Sequence, residues 1–351
     1  MINIGYAGHT LCRPMTGVGR YLQSISRIES PSINKVAFVP NHNIQVDNSF
    51  DELVFSDKSS RIGKMLWSYN HMLYTNSKFD IYHSPQMFLP FFRDKHIRKI
   101  VTIHDLLFLD MPFLYSKFER TILKLSLQDA VNRSDNFICI SKYTYSRFKE
   151  YFPNKKNVDV IYNCLSIDKE SDPRDPKDND LEKYFILPSN RTPRKNINNT
   201  VLAYKKSLFY KKGYKLLICG PMDGSVEIGD DDLIHDVGYV DEVELKRLYR
   251  NSEGLLFFSL GEGFGYPIVE AASYSVPVLA AANTSITELF DGRTDLLCTE
   301  YMTVDGIAAF LDKYCNSDDM KFQILQVLKK TLRLFSKEIF SEQLLSLYTA
   351  Q

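Results

Sequence analysis

Short apolar runs alternate with longer stretches of helical period along nearly the whole chain. In the first half the strand-like runs are Met1–Ala7, Lys35–Val39, Asp80–Pro85, Ile100–Asp105, Asn136–Ile140 and Asp159–Asn163. Between them, apolar residues recur every three or four positions: through Leu22, Ile25 and Ile28, from Arg61 to Thr75, from Lys117 to Arg133, and after Ser141 as far as Phe148. Ser141 stands where a helix N-cap is expected. The Arg61–Thr75 stretch carries Ile62, Met65, Leu66, Tyr69, Met72 and Leu73 on one helical face. It predicts an amphipathic helix turned toward its own core; with Arg61, Lys64 and Trp67, a helix resting on lipid headgroups is the alternative. Residues 42–60 are polar and show no period.

The second half repeats the alternation. Strands are expected at Tyr184–Pro188, Lys215–Gly220, Gly254–Phe258 and Val276–Ala281. Helices are expected from near Asn199, after Pro267, over 305–315 and 319–335, and from Ser341 to Tyr348. Ser285 and Glu288 have the spacing of a capping box. Between the halves, Ser166–Asp180 holds five aspartates and two prolines, the composition of a solvated linker. The pattern therefore predicts an α/β protein of two parallel-sheet domains, 1–165 and 184–335, joined by a linker over 166–183. A terminal segment, 336–351, is expected to return to the first domain.

At 351 residues the chain is too long for one compact core. No apolar run approaches the length of a membrane span, and the N-terminus lacks a signal-peptide pattern, so a cytoplasmic protein is expected. The six cysteines are scattered, without metal-ligand spacing, as expected of free thiols in a reducing compartment. Net charge is zero, but residues 1–165 hold 21 Lys/Arg against 14 Asp/Glu and the remainder 22 against 29. A basic N-terminal half suits an anionic membrane surface or a pyrophosphate-bearing acceptor; attraction between the halves is the plainer account.

The chemistry concentrates at Gly261-Glu262-Gly263-Phe264-Gly265-Tyr266-Pro267-Ile268-Val269-Glu270. This is a glycine-rich loop between a buried strand and a helix, with Pro267 at the first helical position. The amides of Gly265 and Tyr266 then lie at a helix N-terminus and favour an anion. Glu262 and Glu270 bracket the nest, an arrangement suited to a phosphate flanked by hydroxyls. Arg191, Arg194 and Lys195 follow the Tyr184–Pro188 strand and can meet a diphosphate. His104 and Asp105 end another strand, where ligands gather in doubly wound sheets. Gly17 and Gly19 form a glycine turn after the first strand, without the third glycine of a dinucleotide fingerprint. Asp230-Asp231-Asp232 meets a D-x-D pattern but lies in a polar loop, where carboxylate runs are ordinarily solvated.

Ser259–Pro267 with Glu270-Ala271 resembles the E-x7-E signature of retaining glycosyltransferases of the GT-B fold, specifically glycosyltransferase family 4. Thr102-Ile103-His104-Asp105-Leu106 and Pro193-Arg194-Lys195-Asn196 resemble further segments of that family. The resemblance implies two Rossmann-like domains facing across a deep cleft. It implies transfer of a hexose from a nucleotide diphosphate sugar to a hydroxyl, with retention and without a metal or other cofactor. GDP-mannose is the favoured donor; UDP- or dTDP-sugars, carrying rhamnose or an N-acetylhexosamine, are alternatives. Catalytic positions implied are His104, Glu262, Arg191 and Lys195. Donor contacts are implied at Gly17, Gly19, Arg194, Phe264, Gly265, Tyr266, Pro267 and Glu270. The acceptor would be a growing polysaccharide such as O-antigen or a polyprenyl-pyrophosphate-linked glycan, at the inner face of the membrane; no nucleic acid is expected. A sugar-nucleotide epimerase of the same fold, or a non-catalytic sugar-nucleotide-binding scaffold, are the competing functions.

Overall fold

A computed structural model describes residues 1–12, 16–75, 77–165, 183–221 and 231–350. The chain divides into two compact units, Met1–Ser166 with Phe335–Gln351, and Ile167–Leu334. The aspartate-rich linker and residue Asp230 lie outside the described residues.

The first unit runs β1 (Ile2–Ala7), α1 (Gly17–Ser26), β2 (Ile33–Val39), β3 (Glu52–Phe55), α2 (Arg61–Tyr74), β4 (Ile81–Ser84), β5 (Arg98–Ile103), α3 (Leu107–Asp110), α4 (Lys117–Arg133), β6 (Asn136–Cys139), α5 (Lys142–Tyr151) and β7 (Val158–Val160). Its strands form one parallel sheet in the order β3-β2-β1-β4-β5-β6-β7. Strands buried on both faces need no polar alternation, which is why they read as plain apolar runs. One face packs on α1 and the C-terminal helix Lys337–Thr349, through Leu22, Ile25, Phe340 and Leu344. The other packs on α2, α4 and α5, through Met72, Leu127, Val131 and Phe148.

Three local expectations need correction. β3 lies inside the stretch that shows no period, because an edge strand of four half-exposed residues leaves no hydrophobic signature. The strand expected over Asp159–Asn163 is Val158–Val160. The α2 helix turns His71 and Met72 to the core and sets Trp67 against Phe38, but Ile62, Met65 and Leu66 are exposed. Its apolar stripe is therefore wider than the face its own sheet covers.

The C-terminal helix is tied down by polar groups as well as by burial. His83, fully buried on β4, bonds the Tyr348 hydroxyl through Nδ1 (2.7 Å) and Thr102 Oγ1 through Nε2 (2.8 Å). The Tyr21 hydroxyl shares Thr102 Oγ1 at 2.9 Å, and Tyr6 donates to Tyr348 at 3.3 Å. Burial, with His104 nearby, lowers the His83 pKa to about 3, so the ring is neutral and supplies one donor and one acceptor. Arg98 donates to the Leu347 and Ala350 carbonyls at the helix's end, satisfying groups that a helix terminus leaves unpaired.

The second unit runs β8 (Tyr184–Pro188), α6 (Ile197–Lys206), α7 (Leu208–Lys211), β9 (Lys215–Cys219), β10 (Ile234–Gly238), α8 (Glu242–Asn251), β11 (Gly254–Phe257), α9 (Tyr266–Ser273), β12 (Val278–Ala280), α10 (Ile286–Leu289), α11 (Val304–Cys315) and α12 (Asp318–Thr331). Its sheet is parallel, in the order β10-β9-β8-β11-β12. The order reverses between β8 and β11, and the crevice outside the carboxyl ends of such strands is where doubly wound folds take ligands. Gly220 ends β9 with φ +140°, and a β-carbon there would lie 1.7 Å from the Ser189 carbonyl oxygen. Only glycine allows the loops after β8 and β9 to come this close.

Tyr348→Phe removes the hydroxyl that His83 meets and leaves a buried ring nitrogen unpaired. It should cost about 1–3 kcal/mol in urea-induced unfolding of the first unit. An unchanged midpoint and slope would show that the tyrosine–histidine bond does not hold the C-terminal helix.

Candidate active site

The loops after β8 and β11 meet because their strands are neighbours. After β8, Pro193–Lys195 makes a single tight turn that ends at Asn196 in the left-handed conformation (φ +54°). Asparagine tolerates that conformation better than most residues. The Asn196 side chain donates to the Phe258 carbonyl (3.2 Å) and the Tyr301 carbonyl (2.9 Å), while the Leu260 amide donates to the Arg194 carbonyl (2.8 Å). The two loops are thus stitched main chain to main chain before any charge is counted.

Glu262 stands at the centre. Its Oε1 accepts from Lys195 Nζ at 2.7 Å and its Oε2 from Arg194 Nη1 at 2.5 Å. Arg194 also donates to the Gly261 carbonyl at 2.7 Å, and the Lys195 ammonium lies 4.9 Å from the centre of the Phe257 ring. Burial by itself would raise the Glu262 carboxyl; the neighbouring Lys195 and Arg194 charges outweigh it and hold the pKa at about 2. Burial, aided by Arg194, pulls the Lys195 ammonium below its usual value against the opposing pull of Glu262. Two cations share one carboxylate, so the cluster keeps a net positive charge toward an incoming anion.

The backbone of this loop is held from the far side. Ser285 Oγ reaches the carbonyls of Glu262 (2.9 Å) and Phe264 (3.2 Å), and the Glu262 amide donates to Thr284 Oγ1 (3.0 Å). The expected Ser285–Glu288 capping box is absent: Ser285 has helical dihedrals and its hydroxyl is spent on the loop. Gly265 caps α9 at φ +99°, a conformation suited to glycine, and the Tyr266 amide follows at the helix N-terminus. Pro267 is therefore the second helical residue, one later than the spacing predicts. Phe264 is buried, its ring edge-on to Tyr266 with centroids 5.1 Å apart. Glu270, one turn into α9, accepts from the Tyr249 hydroxyl at 3.2 Å.

Not every residue singled out above joins this cluster. Arg191 adopts φ +60° and its buried guanidinium pairs with Asp236 on β10, apart from Glu262. Gly17 and Gly19 do not form a turn. They open α1 without positive φ, and the Gly19 amide donates to its N-cap, Thr16 Oγ1, at 3.1 Å. Asp231 is held by Lys205 and the Tyr210 hydroxyl. Among the described residues, no group of three or more His, Cys, Asp or Glu could hold a metal ion.

In the first unit, His104 follows β5 and its Nε2 lies 2.7 Å from the Pro85 carbonyl, beyond the end of β4. A carbonyl only accepts, so Nε2 carries the proton and Nδ1 presents a lone pair. Tyr21 stands edge-on to the ring at 5.2 Å. Burial outweighs the Pro85 bond and lowers the pKa to about 4, so the ring is neutral at pH 7. His9 and Gln86 contact each other at the same strand ends, between β1 and β4. Neither belongs to a motif, and only the sheet order brings them together.

Because the folded Glu262 pKa lies below the ordinary carboxylate value of 4.5, its stabilisation is fully present above about pH 4.5. It is lost as pH falls toward 2, an effect of up to about 3 kcal/mol. Glu262→Gln should flatten the acid limb of the second unit's melting temperature in that window. An unaltered acid limb would mean that the carboxylate is not ion-paired.

The family described as "Glycosyltransferase Family 4" matches residues 39–169 and that described as "Glycosyl transferases group 1" matches residues 168–326. The chain is 25% identical to O-antigen chain mannosyltransferase B of Escherichia coli, over 91% of this chain and 92% of that protein. It is 30% identical to the O-antigen chain mannosyltransferase RfbU of Salmonella typhimurium, over 52% of this chain and 51% of that protein. Among solved structures, Anabaena HepE in complex with UDP and glucose superposes with a TM-score of 0.75 at 15% identity, and each chain is fully covered. WaaG, a glycosyltransferase of lipopolysaccharide biosynthesis, gives 0.75 at 11% identity, again with full coverage. The paired parallel sheets, the Glu262 cluster on the loop before α9 and the two matching families lead to one conclusion: this chain is a glycosyltransferase of the GT-B fold and belongs to glycosyltransferase family 4.

Proposed function

We propose that the enzyme transfers mannose from GDP-mannose, with retention and without a divalent metal, to a hydroxyl of a growing surface polysaccharide or a lipid-linked glycan. The observation that carries the donor half is the Arg194–Glu262–Lys195 cluster at the carboxyl ends of β8 and β11, beside the first amides of α9. Mannose is favoured because the O-antigen relatives are mannosyltransferases by name. A nucleoside diphosphate donor agrees with the UDP and glucose named in the complex of a structural neighbour.

In this mechanism the bond between the anomeric carbon and the diphosphate oxygen breaks. The acceptor oxygen bonds to the same face of that carbon, and the acceptor proton passes to the departing oxygen. Charge grows on the diphosphate, and fixed cations with main-chain donors stabilise it without reorganising. Lys195 and Arg194 stay paired with Glu262 and turn their remaining N–H donors to the phosphates, while the free lone pairs of the Glu262 carboxylate accept from sugar hydroxyls. Glu270 receives the ribose hydroxyls, and Phe264, Gly265, Tyr266 and Pro267 offer backbone to the sugar and diphosphate. Arg191, committed to Asp236, fixes the loop after β8 to β10. His104 accepts a hydroxyl hydrogen at Nδ1 and orients the sugar. Gly17 can offer only its own amide, since Gly19 serves the cap of α1.

Lys195→Ala, Arg194→Ala and Glu262→Gln should each lower GDP release with a mannosyl acceptor by roughly 10²–10³-fold. The less intrusive Arg191→Lys should lower it less. Near wild-type rates for Lys195→Ala or Glu262→Gln would remove the assignment. Turnover should also persist in EDTA, with GDP raising the melting temperature in the absence of metal. Strict dependence on Mg²⁺ or Mn²⁺ would return attention to Asp230–Asp232.

A further inference from the structure

In the first unit, the sheet face that packs on the C-terminal helix turns polar toward β7. Cross-strand register sets Asn136 beside Ile100 and Asp159 beside Ile138, on the face whose other residues belong to the core. Arg98 opens β5 on the same face, beside Ile81. The C-terminal helix passes alongside and lines this floor with one stripe, Ile339, Glu342, Gln343, Ser346 and Ala350, at i, i+3, i+4, i+7 and i+11. Between floor and stripe lies a cavity of about 1020 Å³, at the upper end of the range for ligand sites. Arg98 spends its Nε on the Asn136 amide oxygen (2.8 Å) and its Nη1 on the Leu347 and Ala350 carbonyls. Among the described residues its Nη2 donors remain unspent, and the Asp159, Glu342 and Gln343 side chains make no hydrogen bond or ion pair.

We infer that this cavity is a second glycan-binding groove, which holds the part of the acceptor polysaccharide already built while its end reacts beside His104. The chemistry of the lining selects the ligand. The Asp135 carboxylate is paired with Lys99 (3.5 Å), and what remains, Arg98 and Lys156 against Asp159 and Glu342, is balanced. A polyanion finds no surplus positive charge there. Guanidinium, carboxylate and amide groups offer both donors and acceptors to neutral hydroxyls, while Ile339 and Leu347 supply an apolar patch for the C–H face of a sugar. A peptide fits less well: β7 is a three-residue edge carrying Asp159, the short charged form that discourages strand addition. The groove lies at the amino ends of β5 and β6. Because β5 begins with Arg98 and ends one residue before His104, the two lie roughly 20 Å apart along extended chain. A disaccharide is too short to occupy both places, whereas a long chain can, and each hold then raises the effective concentration at the other. The groove rests on the proposed transfer to a polysaccharide for its purpose.

Electrophoresis of the full chain through native gels containing mannan, together with steady-state kinetics on a mannose disaccharide and on a long mannan fraction, tests it. Mannan should retard the wild type. Glu342→Ala combined with Gln343→Ala, and separately Asp159→Ala, should raise the apparent Kd for mannan about tenfold or more at an unchanged melting temperature. With the long acceptor the same variants should raise KM by a like factor and leave kcat as it was. With the disaccharide both constants should match the wild type. Gln343→Trp, which fills the groove from an exposed helical position, should act in the same way. Wild-type migration indifferent to mannan, retardation retained by all the variants, or equal losses on both acceptors would overturn the groove. Transfer that ignores acceptor length would remove the groove and leave the proposed reaction standing. Retardation that the variants weaken, with no transfer from GDP-mannose to either acceptor, would keep the groove and count against the proposed reaction alone.

Discussion

A buried carboxylate shared by two cations organises the second unit. Glu262 cannot be taken out of water unless its charge is met, and Lys195 and Arg194 meet it from the adjacent strand's loop. Such clusters are weak sources of stability, because desolvation offsets much of the Coulomb gain. Their physical value lies elsewhere. Removing the carboxylate leaves two cations uncompensated, and removing either cation strips one carboxylate oxygen of its donor, so the three side chains specify one another's positions. The surplus positive charge is then held in place before a ligand arrives, with no side chain left to search for it.

Around that cluster the backbone carries the geometry. Ser285, Thr284 and Asn196 spend their side chains on main-chain groups of the two loops. The left-handed turn at Gly265 directs the Tyr266 amide along the axis of α9. Arg191, the first cation of its segment, is consumed in fixing β10 to the loop after β8. A run of three cations thus divides its work: one holds the scaffold and two hold the carboxylate.

The first unit follows a different economy. Its functional candidate, His104, is kept neutral by burial and oriented by the Pro85 carbonyl. Beneath it, Tyr21, Thr102, His83, Tyr348 and Tyr6 form a chain of hydrogen bonds reaching the C-terminal helix. Such a chain rigidifies a core when every member is satisfied, and it gives the last residues of the chain a place in the packing of the first half.

Fold class and most elements were legible in the residues alone, because a strand buried on both faces and a helix of fixed period leave distinct hydrophobic rhythms. The Glu262–Glu270 loop was legible for a similar reason: glycine, proline and carboxylate at those spacings have few other uses. Local pattern did not reveal where polar side chains spend their hydrogen bonds. Ser285 had the spacing of a helix cap and instead pins a loop, and Gly17 and Gly19 had the look of a turn and instead open a helix. Likewise Arg191 and Arg194 are equivalent as letters; only strand order puts one against Asp236 and the other against Glu262. The exposed face of α2 belongs to the same class, since a sequence records that a stripe is apolar but not whether a sheet is wide enough to cover it. Periodicity is a property of neighbours along the chain, whereas pairing and coverage are properties of neighbours in space.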